Sequence, residues 1–327
     1  IFPETDLERL RKSRVARIGQ EEARPMGMVM RTLPPLLFGD DHAYGMPLTG
    51  SGTVDAVNSI TRDDLLEWRD TWLKPNNAVL VVVGDTTMEE LKPLVRKHFK
   101  RWKKARTFPE VAKPEVTLPS GQRVFMIDRP DAPQTVIIAG HLAPARDNST
   151  EIPLRTMNAI LGGMFTSRLN MNLREDKAWA YGARTMFMSS RAQRPFIAYA
   201  PVQADKTAEA MKEIVAELIG VMGARKITAD ELGQAQKSLT LSLPGNHETA
   251  GDGAGSMEVL LLNNLPDDYY KTYLATVNGL SAEDVMKPAA DIIKPEQLTW
   301  VIVGDLSKIR EPIEKLGLGP VEVLKKD

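Results

Sequence analysis

The sequence has no cysteine among its 327 residues. Disulfides and thiolate chemistry are therefore excluded. The same absence does not choose between cytoplasm and periplasm, because a chain without thiols suits either. Histidine is nearly as scarce, limited to His42, His98, His141 and His247. Catalytic zinc needs three protein ligands with a fourth position open, and no two of these histidines are close enough to share a helix face. Net charge is -1, so no excess of either sign favours nucleic acid or an anionic membrane surface. No apolar run approaches the roughly 20 residues that span a bilayer as a helix. What is left is the composition of an ordinary globular protein, 43% hydrophobic and 26% charged, at a length that suggests two domains. The opening Ile1-Phe2-Pro3-Glu4 is neither an initiator methionine nor a signal peptide, and it reads as the middle of a longer protein.

Periodicity then sorts the chain into elements. Residues 6–23 are polar and helical, with Leu7, Leu10, Val15 and Ile18 on one stripe. A second helix, about Met28 to Leu37, leads into the loop around His42-Ala43-Tyr44-Gly45. Thr61 with Asp64 has capping-box spacing and opens a helix to about Leu73, and Thr87 with Glu90 opens another with Leu91, Leu94, Val95 and Phe99 on its apolar face. Between them Ala78–Val83 is a continuous apolar, β-branched run, the pattern of a buried strand. Pro109, Pro114 and Pro119 punctuate an aperiodic stretch that reads as a linker. Beyond it, Val124–Ile127, Thr135–Ala139, Ala183–Met188, Phe196–Val202 and Leu298–Val303 read as strands. Helices are expected from Ser149/Thr150 through Leu161, over the stripe from Met211 to Met222, and from about Thr228. Gly251, Gly253 and Gly255 weaken the helical pattern there, as a hinge or as a packing face.

The two halves repeat. Val57-Asn58…Thr61…Lys74-Pro75…Val83-Gly84-Asp85 aligns without a gap, at an offset of 220, with Val277-Asn278…Ser281…Lys294-Pro295…Val303-Gly304-Asp305. The chain thus contains two copies of one unit. About 100 residues of strands and helices precede the shared part of the second copy and almost none precede the first. The expected organisation is α+β: residues 1–106 as the C-terminal part of a first unit, incomplete at its N-terminus, 107–121 as linker, and 122–327 as a complete second unit with a mixed sheet packed on helices.

One stretch carries candidate chemistry: Leu161-Gly162-Gly163…Ser167-Arg168-Leu169…Leu173-Arg174-Glu175…Ala180-Tyr181-Gly182. Arg174 supplies a fork of N–H donors and Tyr181 a phenolic O–H, a pair suited to a peptide carbonyl or a developing oxyanion. Phe165, Leu169 and Leu173 are placed to hold the intervening helix, expected from about Thr166, against the sheet, with Trp179 beneath the turn that presents Tyr181. Glu175 and Asp176 are alternative, merely structural partners for Arg174. Gly162 and Gly163 read either as a helix-ending turn or as a flexible loop.

Tandem units of this pattern, with that stretch in the second and Glu8-Arg9-Leu10-Arg11, His42-Ala43-Tyr44-Gly45 and Val83-Gly84-Asp85 in the first, resemble the M16 family of zinc metallopeptidases, which includes the insulin-degrading, pitrilysin and mitochondrial processing peptidases. The resemblance covers essentially the whole chain and implies a LuxS/MPP-like fold. It implies further that catalytic members hold zinc through His-x-x-Glu-His in the front of the first unit, with a third glutamate on a later helix. The second unit contributes an arginine and a tyrosine that bind the substrate backbone; by the motif these are Arg174 and Tyr181, and Gly162 and Gly163 stand at the glycine loop. This sequence departs from the catalytic pattern. No His-x-x-Glu-His is present, and Arg14-Val15-Ala16-Arg17-Ile18-Gly19 has no acid where the third ligand is expected; Glu21 and Glu22 lie about a turn away. His42 reads as structural, His98 as a surface residue, and His247-Glu248 has no partner histidine.

The expected protein is the zinc-free, substrate-binding subunit of a two-subunit peptidase. No catalytic or metal residue is expected on this chain, with zinc on a partner subunit or a missing segment. Its partners would be an unfolded peptide, added as a strand to a sheet edge, and a zinc-bearing M16 subunit or a second copy. Two alternatives stand beside it: a fragment of an active zinc endopeptidase whose zinc-bearing half is missing, and a non-proteolytic assembly subunit like the core subunits of the respiratory bc1 complex. The periplasm is preferred over the cytoplasm.

Overall fold

Alternation along three buried strands fixes the layering of the larger of two compact units. Val124, Met126, Ile137, Ala139, Trp300 and Ile302 point into one core, while Phe125, Ile127, Val136, Ile138, Val301 and Val303 point into another. A strand with period two that is apolar on both faces must be covered on both faces. The structure, a computed structural model describing residues 2–325, does this with helices on either side of one sheet. In chain order the helices are α1 (Glu4–Glu22), α2 (Pro25–Phe38), α3 (Val54–Ser59), α4 (Arg62–Trp72), α5 (Met88–Phe99), α6 (Glu151–Asn158), α7 (Arg168–Asn170), α8 (Thr207–Ile219), α9 (Ala229–Leu241), α10 (Ala250–Leu262), α11 (Tyr269–Asn278), α12 (Ala282–Ile292) and α13 (Leu306–Glu314). The strands are β1 (Arg123–Asp128), β2 (Gln134–Ala143), β3 (Arg184–Phe187), β4 (Arg194–Gln203), β5 (Thr299–Gly304) and β6 (Val321–Leu324).

The larger unit comprises Gln20–Gly50, Lys113–Leu241 and the chain from Tyr270 onward. Its mixed sheet has the order β3-β4-β2-β5-β1-β6, parallel at β5–β1 and β1–β6 and antiparallel elsewhere. The expected α+β architecture is present, as are the strands expected beyond the 107–121 stretch; β6 was not legible as a strand. Helices α6, α8, α12 and α13 cover one face and α2 the other, through Val29, Leu33 and Leu37. Trp300 is fully buried, and its indole N–H donates to Gln122 Oε1 at 2.7 Å. Residues 20–50 thus pack with the unit that lies beyond the 107–121 stretch in sequence. Part of that stretch, Lys113–Leu118, belongs to the same unit, and the Gln193 amide grips both the N–H and the C=O of Val116.

The smaller unit comprises the chain up to Gly19, Ser51–Ala112 and Ser242–Tyr269. Here the repeat is visible element for element. Thr61 and Ser281 each accept from the N–H three residues on, at 3.2 Å, and Asp64 and Asp284 each accept from the cap residue's N–H. Helix α4 and helix α12 start and stop at positions 220 apart, as do the tight turns Pro75–Asn77 and Pro295–Gln297. The next element diverges. Residues 299–304 form β5 in the sheet, whereas the expected strand Ala78–Val83 forms no pairing, and Val79 is 70% exposed. The cause is local. β5 pairs with β1 and β2, both supplied by its own unit, while the smaller unit has no other strand among the described residues. The expected burial on α1 and α5 is likewise mostly unmet: Ile18 is buried, but Leu10, Leu94 and Phe99 are exposed. α10 runs through all three glycines, and a Cβ on Gly253 would stand 3.3 Å from Val83 Cγ1, so that glycine serves packing.

Candidate functional site

The stretch that carries the chemistry is built from two wide helical turns and the strand beside them. α6 passes at residues 159–163 into a π-type turn, a form that recurs at functional sites. Gly162 is buried there, and a Cβ on it would lie 2.4 Å from the Thr185 backbone N, so only glycine lets the turn approach β3. Phe165 follows. It does not join the buried stripe expected of it: Leu169 and Leu173 are buried, but Phe165 is 59% exposed. The reason is that α7 begins at Arg168 and not near Thr166, so Phe165 lies on non-helical chain ahead of it.

α7 is held by charge. The Arg168 guanidinium donates to both Glu231 carboxylate oxygens at 2.6 and 2.9 Å, and to the Arg225 and Lys226 carbonyls at 3.1 and 3.0 Å. Those bonds, together with the N–H and hydroxyl of Thr228, hold the Glu231 carboxyl down at about 2. Asn170 then ties the two flanks of the site together. Its Nδ2 donates to Phe165 O at 2.7 Å and its Oδ1 accepts from Ala183 N at 3.0 Å. A second π-type turn, residues 171–176, turns Leu173 inward and leaves Arg174 at the surface. Asn172 anchors this turn to α8, donating to Glu213 and Glu217 at 2.8 Å each. The Leu173 carbonyl accepts from Trp179 and Ala180, and Ala178 takes a left-handed φ of 54°, a conformation a non-glycine residue holds only when its surroundings fix it. Trp179, half-buried against the core, leads into Tyr181.

The outcome is a stack. The Arg174 guanidinium carbon lies 4.6 Å from the Phe165 ring centroid and 5.1 Å from that of Tyr181. Cation–π attraction of this kind contributes about 0.5–1 kcal/mol per exposed ring. Glu175 Oε1 takes the Arg174 Nε at 3.1 Å. Asp176 forms no ion pair with it. Tyr181 is 83% exposed, and its hydroxyl has no protein partner among the described residues. Beyond Nε, the guanidinium N–H groups have no protein partner among the described residues, and a fork of such donors suits a carbonyl or carboxylate oxygen. The structure places Arg174 beside Tyr181 and adds Phe165 and Asn170 to the same patch. Neither was legible: Asn170 acts on residues 5 before and 13 after it in sequence.

The histidines are accounted for. His42 is buried and stacks on Phe38; its Nδ1 accepts from Tyr44 N at 3.0 Å and its Nε2 meets the Pro114 carbonyl at 3.1 Å. His141 is fully buried, with Nε2 accepting from Lys294 N, and burial lowers its pKa to about 4. His98 is exposed, and His247 Nδ1 meets the Leu243 carbonyl. Glu21 and Glu22 both lie against Arg31. Among the described residues no three His, Asp or Glu side chains converge as a metal site would require. The residues present do not fit catalytic zinc.

A family profile described as Peptidase M16 inactive domain matches residues 59–239. The zinc protease PqqE of Helicobacter pylori is 24% identical over 262 residues, taking in 78% of this chain and 57% of that protein. A solved protease structure from Helicobacter pylori superposes with a TM-score of 0.84 at 23% identity, over 93% of this chain and 73% of that one. The periplasmic protease PqqL of Escherichia coli superposes with a TM-score of 0.70 at 13% identity, over 100% of this chain and 38% of that one. The chain spans about half the length of the curated relatives it matches. No helix among the described residues is long and apolar enough to cross a membrane.

Proposed function

The chain belongs to the peptidase M16 inactive-domain family, and from that premise we propose that it is the substrate-binding component of a peptidase whose hydrolytic zinc is held by another subunit or another segment. The observation that carries this is the exposed Phe165–Arg174–Tyr181 stack, held in place from beneath by Asn170 and the Arg168–Glu231 pair. Arginine and tyrosine are the residue types that dominate binding energy where a partner docks. The substrate is an unfolded peptide lying along β3, one of the two edge strands, which begins three residues after Tyr181. Arg174 and Tyr181 donate to its backbone carbonyls. The wide turn at Gly162 and Gly163 bounds the same surface as a loop. The partner is a zinc-bearing M16 subunit, and we place both in the periplasm on the analogy of PqqL, whose likeness to this chain carries the fold alone.

A fragment of an active peptidase is the second reading. The acid-free face Arg14–Gly19 of α1, and the engagement of Glu21 and Glu22 with Arg31, favour the first. The test is reconstitution with a zinc-bearing M16 protein carrying His-x-x-Glu-His, assayed on a labelled unstructured peptide. The chain alone should be inert and the mixture active. Cleavage by the chain alone, carrying stoichiometric zinc after dialysis, would overturn the assignment.

A further inference from the structure

Beside the glycine turn lies a cavity of about 350 Å³ whose charged lining is almost all of one sign. Arg146, Arg155 and Arg194 line it, against one carboxylate, Glu151. Arg194 and Glu151 are both more than nine-tenths buried and form a two-bonded pair at 3.1 and 2.7 Å, joining the start of β4 to the start of α6. Arg146 adds a third bond to Glu151 at 3.1 Å and is itself largely buried. Glu151 therefore neutralises one of three guanidinium charges. Two observations leave the cavity short of an acceptor. The Arg194 Nε is buried with no hydrogen-bond partner, although a buried donor ordinarily has one. The Arg155 guanidinium, exposed one turn along α6 from Glu151, has no partner among the described residues.

The position of this cavity matters as much as its charge. It is lined by Gly163 and Met164 on one side and by Met186, Phe187 and Met188 on another. The first pair directly precedes Phe165 of the aromatic stack. The second group ends the edge strand β3 and follows it by one residue, Met188, seven residues beyond Tyr181. An extended chain laid along β3 with one end at Arg174 and Tyr181 reaches the cavity after roughly 23 Å, at about 3.3 Å per residue. The methionines and Phe187 give the cavity an apolar wall with a cationic floor, suited to a carboxylate on a short aliphatic stem.

We propose that this cavity is a subsite for a peptide carboxylate, either an acidic side chain or the C-terminal carboxylate, taken by Arg155 and Arg146 against the fixed Arg194–Glu151 pair. It rests on the peptide-binding reading above and adds a preference to it. The probes are four fluorescently labelled eight-residue peptides of one unstructured sequence. They carry, in turn, a single glutamate near the C-terminus with an amidated end, the same with glutamine, the glutamine peptide with a free C-terminal carboxylate, and an all-neutral amidated control. Binding is read by anisotropy at fixed ionic strength, with the residue scanned over the last four positions.

One or both carboxylate peptides should bind about tenfold tighter than the neutral control, the scale of one charge-assisted contact. Preference for the glutamate peptide identifies a side chain as the source, and preference for the free acid identifies the terminus. Arg155→Gln, an exposed change outside every internal ion pair, should remove most of that preference, and R155E should abolish or reverse it in favour of the neutral control. Equal binding of charged and neutral peptides, at every position, would overturn the subsite and leave the Arg174–Tyr181 reading standing. Failure of all four peptides to bind would bring down both. A carboxylate preference that survives R155E unchanged would place the anion elsewhere and also overturn the proposal.

Discussion

Glu231→Gln tests whether the candidate site is built on a partly buried charge pair. Glu231 receives two bonds from Arg168 and one each from the N–H and hydroxyl of Thr228. Together they bring its carboxyl from 4.5 to about 2. The folded value lies below the unfolded one, so the stabilisation is complete above about 4.5 and is lost as pH falls through that value toward 2. A carboxyl moved that far contributes at most about 3 kcal/mol at neutral pH. The Glu231 side chain is 30% exposed, so water screens the pair and brings the figure nearer about 2 kcal/mol. Glutamine keeps the shape and part of the hydrogen bonding but loses the charge, and leaves the buried Arg168 guanidinium without its counter-ion. Urea unfolding of the larger unit, followed by hydrogen exchange in the β2–β4 pair, is the assay. The variant should be about 2 kcal/mol less stable at pH 7, and the difference should shrink steadily between pH 4.5 and pH 2.5. A difference that does not change with pH, or no difference at neutral pH, would refute the electrostatic account of this anchor.

Two further outcomes follow from packing and burial. Gly162→Ala forces a methyl to within 2.4 Å of the Thr185 backbone, and the strain should cost about 1–3 kcal/mol, read as a lowered Tm; an unchanged Tm would show that the turn does not need its glycine. The His141 ring, lowered to about 4 by burial, should stay neutral in an NMR titration down to pH 5.5, and because its folded value lies below 6.5 it destabilises the fold as pH falls from 6.5 toward 4; protonation near 6.5 would mean that the ring is not buried as described.

What could be read from the sequence divides along physical lines. The strands β1, β2, β4 and β5 and the capping boxes at Thr61 and Thr87 depend on residues within a few positions of one another, and all are present. The repeat was legible for the same reason, since it is a comparison of local patterns. Its consequence at residues 78–83 was not, because an apolar run becomes a strand only when another strand pairs with it. The placement of α2 on the sheet beyond the proline-rich stretch is likewise a tertiary choice that no local pattern records. In the site, Arg174 and Tyr181 could be named from the motif. The two π-type turns, and with them the exposure of Phe165, depend on hydrogen bonds that skip an extra residue and leave no periodicity to detect. Asn170, Glu231 and the arginine-lined cavity are joined across long sequence separations by side-chain bonds.

Whether the Phe165–Arg174–Tyr181 stack grips a peptide backbone is measured most directly by the binding of a labelled, unstructured, neutral peptide to the purified chain and to Arg174→Ala and Tyr181→Phe. Both positions lie at the surface, so circular dichroism and Tm should stay close to those of the parent. Each lost donor should weaken binding by about 0.5–1.5 kcal/mol, and the double variant should lose less than the sum, because the two side chains touch one another and serve one ligand. In the reconstituted peptidase the cost per donor rises to about 2.7–4 kcal/mol if the donor contacts the oxyanion. Parent-like affinity from both single variants, together with parent-like cleavage in a complex that still assembles, would contradict the account.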